Sequence, residues 1–348
     1  MKPMQKNNIF KKTTVYLLCT VLVIFIACKP NPDKHSKITY VNFTDELYKL
    51  SNKRCSSADL KALKLKHGRF FDVWFSEIMD YARMSQLPDS IIAQSFNTWL
   101  QTNIPVFKIL DAHYKKNTQW LPSLEKQWSN LQSKLNNVPN PTVYGYMSQF
   151  SNYNTFVDTA KNKLLLGFSQ EMFLNDTFPL YQILDVPTFY NRYNDPNQIP
   201  TLLIWNYLKG RFESEHTVKT MLDQAVFEGK LWALLIEVAE DLNPNDILGY
   251  TAEEWSMMDR DQGQIWRHFL DKKALYNTDF NEFKRYFVYG NQTFGTGIPA
   301  DCPPMIGNFT GLKIVQKYMQ ETDCSWDDLF KEHDATKILR LSGYNPAK

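Results

Sequence analysis

The sequence predicts an α+β domain, mostly helical with a small central sheet, and three observations carry that prediction. Apolar residues recur at three- and four-residue steps on both flanks of the chain. Two β-rich segments lie together between residues 142 and 173. Helices, sheet and helices follow in that order instead of alternating strand by strand.

Ahead of that domain the chain reads as an export signal. Lys2, Lys6, Lys11 and Lys12 form a positive stretch free of acids, and Val15 to Ala27 is an apolar run broken only by Cys19 and Thr20. Such a run suits a signal core of roughly 7–15 residues and falls short of the about 20 that a transmembrane helix needs. It ends in Phe25-Ile26-Ala27-Cys28, which resembles the lipobox of bacterial lipoproteins, with Phe25 where leucine is usual. The expectation is a signal peptide over residues 1–27, cleavage before Cys28, and fatty acylation (palmitate among the chains) of that cysteine. An uncleaved anchor, or a plain signal peptide cut elsewhere, is the alternative. Residues 28–40, polar and rich in Pro and Asn, read as a flexible tether. Residues 41–348 read as one domain, long enough to bury a large core.

Within it, Phe70, Phe71, Trp74, Phe75, Ile78 and Met79 mark a helix, and Leu87-Pro88-Asp89 a break. Further helices are expected over Ser90–Leu110 and from Pro122 to about Leu135. Thr142–Phe150 and Asn162–Phe173 are the β segments, with a turn at Asn152–Asn154 and Gly167 as a bulge or a close approach. Helices resume over Thr201–Arg211 and over Val218–Leu242. The second carries a stripe of Leu222, Ala225, Val226, Gly229, Trp232, Ala233 and Ile236 and stops at Asn243-Pro244. Gly229 inside it suggests close helix packing. Thr251-Ala252-Glu253-Glu254 has capping-box spacing and opens a helix to about Leu275; Phe280–Phe287 continues helical. A Gly- and Pro-rich loop runs from Gly290 to Gly307. The last helices are expected over Phe309–Gln320 and Ser325–Phe330.

Composition excludes some roles. A net charge of +2 gives no electrostatic footprint for nucleic acid. Cys55, Cys302 and Cys324 follow Cys28 with no CxxC, so metal ligation by them is not expected, and a Cys302–Cys324 bridge stays open. There is no phosphate-binding Gly-rich loop and no GxSxG elbow, and Asp158, Asp176 and Asp185 lack calcium-loop spacing. Glu213-Ser214-Glu215-His216 and Lys331-Glu332-His333-Asp334 mix acids with a histidine but read as solvated surface.

Several strings stand in order: Val143 to Phe150 followed by Asn162–Phe168; Phe227-Glu228-Gly229-Lys230, Asp241-Leu242-Asn243-Pro244, Gly249-Tyr250-Thr251 and Gln264-Ile265-Trp266; then Pro303–Gly307, Gly311–Val315, Tyr318-Met319 and Leu341–Pro346. Together they resemble the gliding motility lipoprotein GldB family of Bacteroidota. The resemblance implies a scaffold shared with predicted zinc proteases, which carry HExxH on one helix and a third glutamate on a later one. Histidines at i and i+4 share a helix face and both reach a zinc ion, while the intervening glutamate serves as general base. This chain has no HExxH; His35, His67, His113, His216, His268 and His333 are all isolated. With Glu228 in the third-ligand place, the family's spacing puts Trp205 and Lys209 where the histidines would stand and Asn206 in place of the base. The alternative for Glu228 is a structural one, a half-buried carboxylate paired with Lys209 or Lys230.

The function implied is that of a non-enzymatic envelope lipoprotein without cofactor, which binds proteins of the gliding or secretion apparatus and no nucleic acid. An envelope metallopeptidase or other hydrolase with an unrecognised site, and a nutrient-binding lipoprotein, are the other readings. Lys29-Pro30-Asn31 lacks the acidic cluster associated with surface export in that phylum, so an outer-membrane anchor facing the periplasm is expected.

Overall fold

The two expected β segments become neighbouring strands of a four-stranded sheet, and two further strands join them. The computed structural model describes residues 38–151, 155–160, 163–175, 178–184, 194–288, 298 and 302–346. Cys28 and its signal, the Asn152–Asn154 turn, Asp176, Asp185 and most of the Gly290–Gly307 loop lie outside the described residues. Residues 36–348 form one compact unit.

The strands are β1 (Thr39–Asn42), β2 (Pro141–Tyr146), β3 (Thr155–Ala160) and β4 (Lys163–Ser169), in the order β1-β2-β4-β3. β2 runs parallel to both β1 and β4, and β3 is antiparallel to β4. The central pair is buried on both faces, which is why its sequence is apolar almost throughout. Gly167 is a close approach and not a bulge. The register runs through it unbroken, Phe156 stands opposite, and a Cβ would fall 2.0 Å from the Phe156 ring.

Three boundaries around the sheet move from the sequence reading. Thr39 and Tyr40 belong to β1, not to the tether, because Ile38 is already buried and the Tyr40 ring stands edge-on to Trp120 at 4.9 Å. β2 ends at Tyr146, short of Phe150: Gln149 and Phe150 adopt left-handed backbone (φ 59° and 56°), which stops a strand. The second β segment likewise ends as strand at Ser169.

Helices α1 (Phe43–Ser51), α2 (Ser57–His67), α3 (Arg69–Val73), α4 (Asp89–Thr102), α5 (Ile104–Lys116) and α6 (Trp120–Lys134) precede β2. α3 runs on into a π-turn, Trp74–Ile78. The stretch expected as one helix over 90–110 is two, because Pro105 lacks an N–H and takes a first-turn position in α5 instead of continuing α4. Phe43, Phe70 and Trp74 pack edge-to-face with centroids about 5 Å apart, and the fully buried Trp74 donates its indole N–H to the Met147 carbonyl at 2.8 Å.

After the sheet come α7 (Pro179–Ile183), α8 (Ile199–Phe212), α9 (Met221–Val238), α10 (Pro244–Leu248), α11 (Ala252–Arg260), α12 (Gln262–Asp271) and α13 (Phe280–Phe283). They are followed by α14 (Ile306–Thr322), α15 (Trp326–Lys331) and α16 (Ala335–Ser342). Both reciprocal bonds of the Thr251 capping box are present, but that helix is interrupted at Asp261 and becomes α11 and α12. α16 is new to the sequence reading: Asp334 caps its start and Gly343, at φ 57°, closes it.

α9 is buried along nearly its whole length, and α14 crosses it backbone to backbone. A Cβ on Gly229 would meet the Gly311 carbonyl carbon at 2.2 Å, and one on Gly311 would meet the Ala225 oxygen at 1.7 Å. The close packing expected at Gly229 is therefore a glycine-to-glycine crossing. Leaving each glycine in a helix costs about 1 kcal/mol, offset here by dispersion along the whole interface.

Candidate functional site

The side chains singled out by spacing meet where α8 faces α9. Trp205, Asn206 and Lys209 lie on one side of α8, whose other sides are buried by Leu203, Ile204, Tyr207 and Leu208. The Lys209 ammonium stands 4.9 Å over the Trp205 ring and 4.0 Å from carboxylate oxygens of both Glu213 and Glu228. Asn206 donates its amide to Thr155 of β3 and to the Leu202 carbonyl, pinning α8 to the sheet edge.

Glu228 itself is only 5% exposed. Its Oε1 accepts from Gln224 at 3.1 Å, while the buried Oε2 and the buried Trp205 indole N–H each lack a hydrogen-bond partner among the described residues. Burial raises the Glu228 pKa above the ordinary carboxyl value, and Lys209 opposes that rise. Of the two structural partners open to Glu228, Lys209 is the one it meets; Lys230 points elsewhere.

Above this group lies a cleft of about 370 Å³, walled by the π-turn (Glu77, Ile78), the edge strand β3 (Phe156, Asp158) and α8 (Asn206, Lys209). Asp158 is held by Arg69 at 2.7 Å. β3 pairs with β4 on one side only, and no further backbone hydrogen bond reaches it among the described residues. The donor set does not fit a zinc ion. An indole and an ammonium offer no lone pair, and Glu228 with the Asn206 amide oxygen falls short of the three protein ligands a catalytic zinc takes. Among the described residues no group of three or more His, Cys, Asp or Glu converges in a metal-binding arrangement.

Two clusters escaped the sequence reading. The polar runs around His216 and His333, expected as separate solvated surface, come together with their Nδ1 atoms 3.1 Å apart. Beneath them the fully buried Lys230 donates to the Glu332 carbonyl at 2.6 Å and lies 3.5 Å from His216 Nε2. Burial lowers the Lys230 pKa to about 8; burial, Lys230 and His333 lower that of His216 to about 4. Only the long-range contact joins these runs, so no local pattern betrays it. The second cluster is Glu171, also fully buried, which caps the loop after β2. Cys55, Cys302 and Cys324 form no disulfide with one another.

Among the described residues no helix is long and apolar enough to cross a membrane. The family model described as gliding motility protein GldB matches residues 28–346, most of the chain. No curated protein and no solved structure is matched.

Proposed function

The chain belongs to the GldB family of gliding motility proteins, and from that premise we propose that it is an envelope lipoprotein that acts by binding a partner in the cleft between β3 and α8. Acylated Cys28 holds it to the outer membrane, facing the periplasm. The partner belongs to the gliding apparatus or to the secretion machinery linked to it. The observation that carries this reading is the Lys209 ammonium set between Glu213 and Glu228 over the Trp205 ring. At the positions that the resemblance to predicted zinc proteases would assign to the metal site, this chain carries a lysine 4.0 Å from a buried glutamate, beside an open cleft. Such a site favours recognition over metal-assisted hydrolysis.

Colony spreading and the secreted-protein profile of a deletion strain test it, with complementation by wild type, Cys28→Ala, Lys209→Glu or Glu228→Gln. Rescue by wild type and Glu228→Gln, with loss in Lys209→Glu at normal protein levels, is the expected pattern. Rescue by every form except Glu228→Gln, together with stoichiometric zinc in the purified protein, would restore the hydrolase reading. Label from a radioactive fatty acid persisting in Cys28→Ala would remove the anchor.

A further inference from the structure

A second surface, separate from the cleft, is built from residues 262–288. α12, the short 3-10 turn Ala274–Tyr276, α13 and the turn Lys284–Tyr286 fold into one lobe. Its inner side is joined by Phe269 and His268 packing on Tyr286, by Phe283 against Phe280 and Phe287, and by the Asn277 amide on Glu282. The Met221 N–H donates to the Asn277 carbonyl at 3.0 Å, which brings the residues just before α9 alongside.

The outer side carries large apolar groups in water: Leu270 is 50% exposed, Tyr276 59%, Phe280 55% and Val288 44%. Val218, before α9, is exposed too. Interleaved with them are Arg267, Lys272, Lys273, Lys284 and Arg285, all exposed. None of these five forms an ion pair among the described residues. Along α1 and α2 and between them the pattern is the opposite: Lys49, Lys53, Lys61, Lys64 and Lys66 each sit on a carboxylate. The lobe's own acids are Asp271, Asp279 and Glu282. Asp279 accepts from the Asn281 N–H at the start of α13, and Glu282 is taken by Asn277.

From this geometry we infer that the lobe is a contact surface for a bilayer containing anionic lipid. Exposed aromatic and aliphatic side chains set among cations that have no carboxylate partner match an interface whose headgroups are negative and whose interior is apolar. Tyr276 suits the headgroup level, with a ring to bury and a hydroxyl to leave wet. The lysine and arginine stems lie flat against the acyl boundary while their charges reach phosphate. The cleft between β3 and α8 is lined by other residues. The inference goes beyond the docking cleft and draws on the anchor only for proximity.

The full chain is reconstituted in phosphatidylcholine vesicles with and without phosphatidylglycerol, and amide hydrogen exchange is followed across residues 264–288. Exchange is expected to slow several-fold in the anionic vesicles only. High salt should abolish the difference, and so should either Lys272→Glu with Lys273→Glu or Tyr276→Ser with Phe280→Ser, at unchanged circular dichroism. Equal exchange in both vesicles overturns the proposal, as does protection that appears only on adding envelope proteins. Failure of the chain to attach to neutral vesicles at all would count against the Cys28 anchor alone, because protection in anionic vesicles still decides the lobe.

Discussion

Two carboxylates are buried in this molecule on opposite terms. Glu171, just past β4, accepts from the Ser148 and Phe150 N–H groups and, at 3.0 Å, from the Ser148 hydroxyl. It thereby holds Gln149 and Phe150 in the left-handed backbone that ends β2. Glu228, on α9, has one amide donor and a lysine 4.0 Å away. Both pKa values are pushed up by burial, yet only Glu171 is surrounded by groups that need it. A buried acid that the backbone depends on is part of the fold. One that the fold hardly uses, placed under a cleft, is available to function.

The largest expected effect tests what fixes α9. Gly311→Ala should cost more than about 4 kcal/mol, because the new methyl meets the Ala225 carbonyl and no side chain can yield. A small loss in chemical denaturation would mean that the crossing is soft. Glu171→Ala comes next, at about 3 kcal/mol, since it strands the Ser148 and Phe150 N–H groups, while the Ser148 hydroxyl keeps its bond to Ser169. A loss no greater than that of Glu228→Ala would erase the contrast between the two acids.

Lys230, two residues beyond Glu228, sharpens it with pH. Its folded pKa of about 8 lies below the ordinary 10.5, so the folded state gives up the proton first. Wild-type stability should therefore rise between about pH 8 and 10.5, by roughly 3 kcal/mol, and Lys230→Met should remove that rise. Identical pH profiles for the two proteins would refute the assignment. The smallest effect belongs to Glu228→Gln, under about 1 kcal/mol in either direction. With its folded pKa raised, the ionisable form loses stability as pH climbs from the unfolded carboxyl value through the folded one. The wild-type-minus-variant difference should slope downward there, and an upward slope would reverse the sign of the burial argument.

Much of this was legible in the residues. Apolar spacing located α8, α9 and α14, the Thr251 and Ser325 caps marked true helix starts, and Gly229 announced its crossing. The pairing of Lys209 with Glu228 was one of two open choices, and only packing decides which lysine a buried acid meets. β1 and β3 went unseen because short strands of four and six residues at sheet edges carry little alternation. α16 was overlooked for its brevity, although Asp334 and Gly343 bracket it. The Glu171 pocket and the His216–His333 meeting rest on partners 21 to 117 positions away, which no window along the chain can sense.

The start of β1 at Thr39 sets a leash. If Cys28 is embedded in lipid, the ten residues from there to Ile38 span at most about 35 Å when fully drawn out. A folded body of some 310 residues is roughly 40–50 Å across. A tether shorter than its load cannot let that load tumble, so the membrane would see a restricted part of the surface, and a partner arriving from the periplasm would find the rest already turned toward it.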